Sequence, residues 1–291
     1  MLKLRIITAL CLVPLVLAAL FLLPFNYFAL FAGAIYLLAS IEWGNFIDKD
    51  RAFITMLAMG LVLYGLMGLL PLEGLWTEST SLGTLAAGME PRLSYLYMVA
   101  GAWWLVALGL VLTFPRSASW WRGNAAMQSA FAFLTLVPFY WAMMTLRGFQ
   151  YQENPHFGAW LLLFVMGLVW AADTGAYFVG RAFGKRKLRP NVSPGKTVEG
   201  MLGGVASATV LALIVTFSID LPSQQTLVVL IASIVAVLAS VLGDLTESMF
   251  KREAGLKDSG NILPGHGGIM DRIDSLTAAL PVFVLVVWLL S

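Results

Sequence analysis

Residues 225–243 read QTLVVLIASIVAVLASVLG, and residues 244–274, directly after them, read DLTESMFKREAGLKDSGNILPGHGGIMDRID. The first stretch is 19 residues without a charge, long enough to cross the ~30 Å hydrocarbon layer of a bilayer as a helix. The second opens on Asp244 but holds no helix breaker before Gly255, so the helix is expected to run on to about Glu253 and stop there. Gly255, Gly260, Pro264, Gly265, Gly267 and Gly268 then fall within fourteen residues and predict a loop. A further apolar run, 275–290, follows Asp271 and Asp274. Together these read as two membrane helices joined by a polar, glycine-rich connection.

Working outward, the same pattern repeats. Apolar runs near 5–23, 27–42, 53–71, 95–114, 127–146, 158–180 and 201–219 bring the expected total to about nine spans in an all-α, polytopic bundle forming a single domain over 1–291. The composition agrees: 59% of the 291 residues are hydrophobic and 12% charged, with a mean hydropathy of +0.84. An ordinary soluble domain carries about 25% charged residues. A soluble enzyme, a disordered chain and a nucleic-acid partner are therefore excluded. The lone Cys11 excludes an internal disulfide framework and a cysteine-based metal cluster. The first run begins after Lys3 and Arg5 as a signal peptide would, but no small-x-small site ends it, and it is read as a retained helix.

Nine spans sort the 18 lysines and arginines sharply, leaving only Arg92 and Arg147 on one side. By the positive-inside rule the other side, with the N-terminus, is cytoplasmic and Ser291 lies outside. The expected setting is a bacterial cytoplasmic (inner) membrane. Two cytoplasmic connections, about 181–200 and 244–274, hold most of the chemistry-bearing residues, so the part from about 170 to 291 is expected to carry the site.

On the charged extension, Asp244, Glu247, Ser248 and Lys251 recur every three or four residues and share a face. Asp271 and Asp274 repeat that spacing at the start of the last helix, beside glycines that make a helix N-terminus a ready anion site. Carboxylates on two neighbouring helix ends, with Lys251, Arg252, Lys257 and Arg272 close in sequence, have the makings of a metal–phosphate centre. Hard oxygen ligands suit Mg²⁺, which takes one or two carboxylates and fills its shell from water and phosphate. The bland alternative is a solvated loop obeying the topology rule.

The run Ser248-x-Phe250-Lys251-Arg252-x4-Lys257-Asp258-x-Gly260-x2-Leu263-Pro264-x-His266-Gly267-Gly268-Ile269-x-Asp271-Arg272-Ile273-Asp274 resembles, without departure, the signature of the phosphatidate cytidylyltransferases, or CDP-diacylglycerol synthases. It covers 27 residues, and the size and many spans fit that family over the full length. The resemblance implies transfer of CMP from CTP to phosphatidate with release of pyrophosphate, dependence on Mg²⁺, one ion or two, and CTP, phosphatidate and membrane lipids as partners. It also implies Asp244 and Asp271 as metal ligands, with Asp173 and Asp274 as further candidates, and Asp271, Asp244, Lys251 and Arg252 as the catalytic set. Whether the chain forms a homodimer stays open.

Ser193-Pro-Gly-Lys196-Thr197-Val-Glu-Gly200 is similar to a second segment of the family. Ser193, Lys196 and Thr197 are candidate triphosphate contacts, although Pro190 stands where a Walker A loop needs its first glycine, and Val198 stands where many relatives are expected to carry an aromatic. Read blandly, it is a Pro/Gly turn with a helix cap. Asp173, inside an apolar run, is a functional-site candidate because a carboxylate in a span is costly. Ser248, Lys257, His266, Gly267, Gly268 and Arg272 complete the phosphate-binding candidates. Arg181, Lys185, Arg186, Lys187 and Arg189 read as topology signals drawn to anionic headgroups, His156 as bland, and Trp103, Trp104, Trp120 and Trp121 as interface anchors or packing residues.

Two other readings compete. A secondary transporter explains the buried Asp173 and broken helices, but not two cytoplasmic loops crowded with polar groups. A CDP-alcohol phosphotransferase needs a DGxxAR…GxxxDxxxD pattern that is absent.

Overall fold

The structure, a computed structural model, describes residues 2–76 and 88–291, without the side chains of residues 2–7 and 9. Lys3 and Arg5, counted above among the cytoplasmic charges, lie outside the described side chains. Among the described residues nine long helices follow one another: α1 (Leu2–Leu22), α2 (Phe25–Ile47), α3 (Ala52–Leu69), α4 (Pro91–Thr113), α5 (Ala125–Gly148), α6 (Phe157–Phe183), α7 (Val198–Ser218), α8 (Ser223–Glu253) and α9 (Met270–Leu290). Among the described residues eight, α2 to α9, are long and apolar enough to cross a membrane, and α1 adds the apolar stretch Leu10–Leu22. A helix satisfies each backbone amide within its own segment, which is what an apolar run in lipid requires. The all-α polytopic bundle read from the sequence is the observed fold.

The charged extension of α8 is helical to Glu253, and Gly255 ends it with a φ of 68°, the left-handed conformation that favours glycine. The last helix begins at Met270, so Asp271 and Asp274 sit in its first turns. One element departs from the all-helical expectation. The segment before α7 is an antiparallel pair, β1 (Lys187–Arg189) and β2 (Ser193–Thr197), in register at Lys187 with Thr197 and Arg189 with Ser193. Pro190 and Asn191 supply the turn, and Glu199 at the start of α7 locks it by accepting from the amides of Lys185 and Arg186 and from the Arg186 Nε.

Close helix approaches set the architecture. A Cβ on Gly204 would lie 2.7 Å from the Ala172 carbonyl oxygen and one on Gly200 2.9 Å from that of Ala176, so small residues let α6 and α7 touch backbone to backbone. Gly243 does the same for α8 and α9, where an added Cβ would lie 2.5 Å from the Asp274 carbonyl oxygen. Helix α5 is the central post, with 78% of its span buried, against 17% for α3 at the periphery. Beneath the polar end of α8, Phe250 packs against Trp43 and Trp121, each at 5.0 Å between ring centroids, and against Phe131. Trp103 and Trp104 are also buried packing residues, whereas Trp120 is exposed. Arg147 is a buried tie: its guanidinium donates to the carbonyls of Leu20, Leu23 and Pro155 and lies over the rings of Phe28 and Tyr151.

Candidate active site

The ends of α6, α8 and α9, the start of α7 and the hairpin converge on one group of charges. Lys196, at the end of β2, places its Nζ 2.5 Å from Asp244 Oδ2 on α8. One turn on, Ser248 donates from its hydroxyl to Asp244 Oδ1 at 3.2 Å. A further turn brings Lys251, whose Nζ is 2.5 Å from Glu247 Oε2 and 2.6 Å from Asp271 Oδ1 on α9. The three-and-four spacing on α8 thus does build one charged face. Asp173 interacts electrostatically with Asp244, Lys196 and Arg272, and Asp274 with Asp244, Lys196 and Lys251.

Two cavities of about 390 Å³ each share Asp173 in their linings. One lies between α6, α7 and the hairpin and is lined by Lys196, Thr197, Gly195, Arg181 and Tyr177. The other is walled by apolar residues of α1, α2, α5 and α6, among them Val16, Phe31, Ile35 and Met166, and carries His266, Asp271, Arg272 and Asp274 at its polar part. Both cavities are mostly apolar in their lining; the first adds the cations Lys196 and Arg181 and the second adds Asp271, Arg272 and Asp274, and the two share Asp173.

The glycine-rich loop is folded tightly onto α9. Leu263 donates its amide to the Gly267 carbonyl and His266 donates its amide to that of Leu263, while Gly265 and Gly267 adopt positive φ. A Cβ on Gly267 would stand 2.5 Å from Asp271 Oδ2, so this position must be glycine for the carboxylate to sit where it does. Asp271 Oδ2 accepts from the Gly268 amide (2.8 Å), the Ser259 amide (2.9 Å) and the Ser259 hydroxyl (2.9 Å). The next two amides, of Ile269 and Met270, donate to Glu42 on α2. The helix N-terminus that the sequence offers to a phosphate is therefore filled by the protein's own carboxylates, because uncapped amides attract any anion within reach.

The other candidates take varied positions around this network. The Thr197 hydroxyl accepts from the Gly200 amide and caps α7, which is the bland reading of that motif. Arg252 reaches the hairpin, donating from Nε to the Val192 carbonyl at 3.2 Å, and Lys257 is exposed on the loop. Ser193 is half-buried in β2. His266 is half-buried, and its Nδ1 has no hydrogen-bond partner among the described residues. Glu42 and Ser259 are not among the sequence candidates, and Glu247 enters there only as part of the charged α8 face, although all three are buried in the network. Glu42 had the same signal as Asp173, a carboxylate inside an apolar run.

The donor set fits a hard divalent ion. Among the described residues no three acidic, histidine or cysteine side chains are grouped to hold a metal. Asp244 and Asp271 supply hard carboxylate oxygens, the donor type that Mg²⁺ takes alongside water and phosphate. The two carboxylates expected as ligands keep their oxygens on lysines, Asp244 on Lys196 and Asp271 Oδ1 on Lys251.

A multi-pass helical bundle that gathers carboxylates and lysines beside paired cavities has the make-up of a membrane enzyme handling phosphates. The chain belongs to the Cytidylyltransferase family, whose model matches residues 3–290. It is similar, at 47% identity over 290 residues and 97% of each chain, to a Haemophilus influenzae protein named phosphatidate cytidylyltransferase. A Pseudomonas aeruginosa protein of that name is 41% identical over 289 residues, 99% of this chain and 97% of its own. One from Bacillus subtilis is 44% identical over 149 residues, 51% of this chain and 55% of its own.

Proposed function

We propose that this chain transfers CMP from CTP to phosphatidate, giving CDP-diacylglycerol and pyrophosphate, at the face formed by α8, α9 and the hairpin. The observation that carries the reading is that the signature run 248–274 closes on itself and on Lys196 and Asp244 in one charged network, in a chain similar end to end to proteins named for that activity. In the reaction a phosphatidate oxygen forms a bond to the α-phosphorus of CTP, the bond from that phosphorus to the bridging oxygen breaks, and pyrophosphate leaves with the electron pair. A phosphomonoester with a second pKa of about 6 is largely dianionic at neutral pH, so the nucleophile needs no general base.

The difficulty is charge, since both substrates are polyanions. Lys196 meets the triphosphate from the hairpin cavity, exchanging Asp244 for phosphate oxygens, with Ser193 beside it in β2. Lys251 stays between Glu247 and Asp271 and offsets charge from the α8 side, Arg272 does so from the mouth of the apolar cavity, and Arg252 and Lys257 contribute from the rim. Ser248 orients Asp244, and the His266, Gly267 and Gly268 turn shapes the wall against which phosphate rests. Asp244 and Asp271, with Asp173 and Asp274 behind them, are the residues that would hold Mg²⁺, one ion or two; bound there, the metal neutralises charge on the transferring and leaving phosphates. The apolar cavity takes the acyl chains.

The catalytic end faces the cytoplasm of a bacterial inner membrane, supported by the 18 lysines and arginines, of which all but Arg92 and Arg147 fall on that side of a nine-span chain. The site belongs to the segment from about 170 to 291, folded within one integral domain. To test the reaction, the purified protein is given phosphatidate and CTP labelled at the α-phosphate, with Mg²⁺ or with EDTA. Label passing into lipid only with Mg²⁺ is expected. Absence of transfer from a monodisperse sample, or transfer undiminished in EDTA, would overturn the reaction or the metal assignment respectively.

A further inference from the structure

Glu42 is 1% exposed near the C-terminal end of α2, far in sequence from the signature, and none of the roles above uses it. Its Oε1 accepts from the Ile269 amide at 2.9 Å, and its Oε2 accepts from the Met270 amide at 2.7 Å and from the Ser259 hydroxyl at 2.9 Å. Among the described residues no lysine or arginine pairs with it. A buried carboxylate without a cation is costly unless its oxygens are fully hydrogen-bonded. Here that cost is met by donors that all belong to the loop and first turn carrying Asp271.

Two further observations tie Glu42 to that carboxylate and not merely to the packing of α2. Gly260 and Gly268 both lie against the Glu42 oxygens, and a Cβ on either would collide with them, so the loop is shaped around this side chain. Ser259 stands between the two acids: its hydroxyl is 2.9 Å from Glu42 Oε2 and 2.9 Å from Asp271 Oδ2, and it also accepts from the Asp271 amide at 3.3 Å. A hydroxyl carries one proton. The same hydrogen is therefore contested by Glu42 and Asp271, and the geometry of one acid is set through the other.

We propose that Glu42 is a positioning residue for the transfer reaction, holding the Ser259 hydroxyl and the α9 N-terminus so that Asp271 presents its Oδ1 edge toward Lys251 and the cavity. It touches neither substrate. The proposal rests on the reaction described under Proposed function, and its test separates the two. The full-length protein in detergent is assayed as wild type, Glu42→Gln, Ser259→Ala and the double variant, with kcat and the KM for CTP and for phosphatidate measured after monodisperse elution is established. Gln keeps the shape but sets an NH₂ group against donors, so it cannot accept from all three.

The expected result is a kcat lowered about 10²-fold in Glu42→Gln, the scale of a misplacement of about 1 Å. Both KM values stay within about threefold, since no substrate contact is lost. Ser259→Ala is expected to lower kcat as well, and the double variant to be no worse than Glu42→Gln alone, because both changes act on the one carboxylate. A wild-type kcat in either folded single variant overturns the proposal, as do losses that multiply in the double variant. If Glu42→Gln does not fold, the Ser259→Ala kcat decides alone. An inactive wild type overturns the reaction itself, whereas an active wild type with unaffected variants overturns only the role of Glu42.

Discussion

The two sides of the site are built on opposite principles. On the α9 side, Asp271 is held from several directions: Oδ2 takes two amides and shares the Ser259 hydroxyl with Glu42, Oδ1 takes Lys251, and the loop around it is closed by Glu42. On the hairpin side, Asp244 has one lysine and one long hydroxyl contact, and Lys196 and Asp244 are each more than a quarter exposed against 6% for Asp271. Several short hydrogen bonds fix a group in place, while a single partly exposed ion pair is weaker and exchangeable. The difference teaches that the α9 side is preorganised and the hairpin side is where an incoming polyanion can trade partners.

The largest break in that contrast should come from Asp271→Asn. It keeps the shape but leaves an NH₂ group facing either three donors or Lys251, and turnover should fall by at least ~10²–10³-fold, the cost of losing a preorganised electrostatic group. Single-turnover transfer of labelled CMP checks it, with elution profile as the control for folding; substantial retained turnover would remove Asp271 from the centre of the site. Next, Lys196→Ala should act on the exchangeable side and raise the KM for CTP about tenfold or more, while the KM for phosphatidate moves little. Equal effects on both substrates would erase the distinction between the two chambers.

Gly204→Val tests the scaffold that both sides share. A side chain there meets the Ala172 carbonyl and must push α7 from α6, so a loss of ~1–3 kcal/mol is expected, visible as a lowered Tm in detergent. The smallest effect should belong to Thr197→Ala. The hydroxyl caps α7, so about 1 kcal/mol of stability should be lost with near-normal KM for CTP. A Tm unchanged beside a large rise in KM would restore Thr197 as a phosphate contact.

Much of this was legible before any coordinates. Nine apolar runs became nine helices, with ends displaced by a few residues, because a chain in lipid can satisfy its amides only within a helix or a closed barrel. The extension of α8 to Glu253 and its stop at Gly255 followed from local propensity. What was not legible concerns partners. Gly268 carries the anion-seeking geometry expected of it, yet its amide faces Asp271. Thr197 reads as a ligand or as a cap, and only the packing shows that its hydroxyl accepts from the Gly200 amide. Arg252, adjacent to Lys251 in sequence, points to the hairpin because neighbours on a helix are separated by about 100°.

Composition and periodicity therefore settle the solvent this chain lives in, its helices, and the chemical character of its polar end, since those depend on residue type and on spacing along one backbone. The pairing of Lys196 with Asp244, the filling of the α9 N-terminus, and the arrival of Glu42 at Ser259 across 217 positions are decided by how the helices pack. Glycine contacts bring α6 to α7 and α8 to α9 within backbone touch, and it is this closeness, set in three dimensions, that selects which charge meets which.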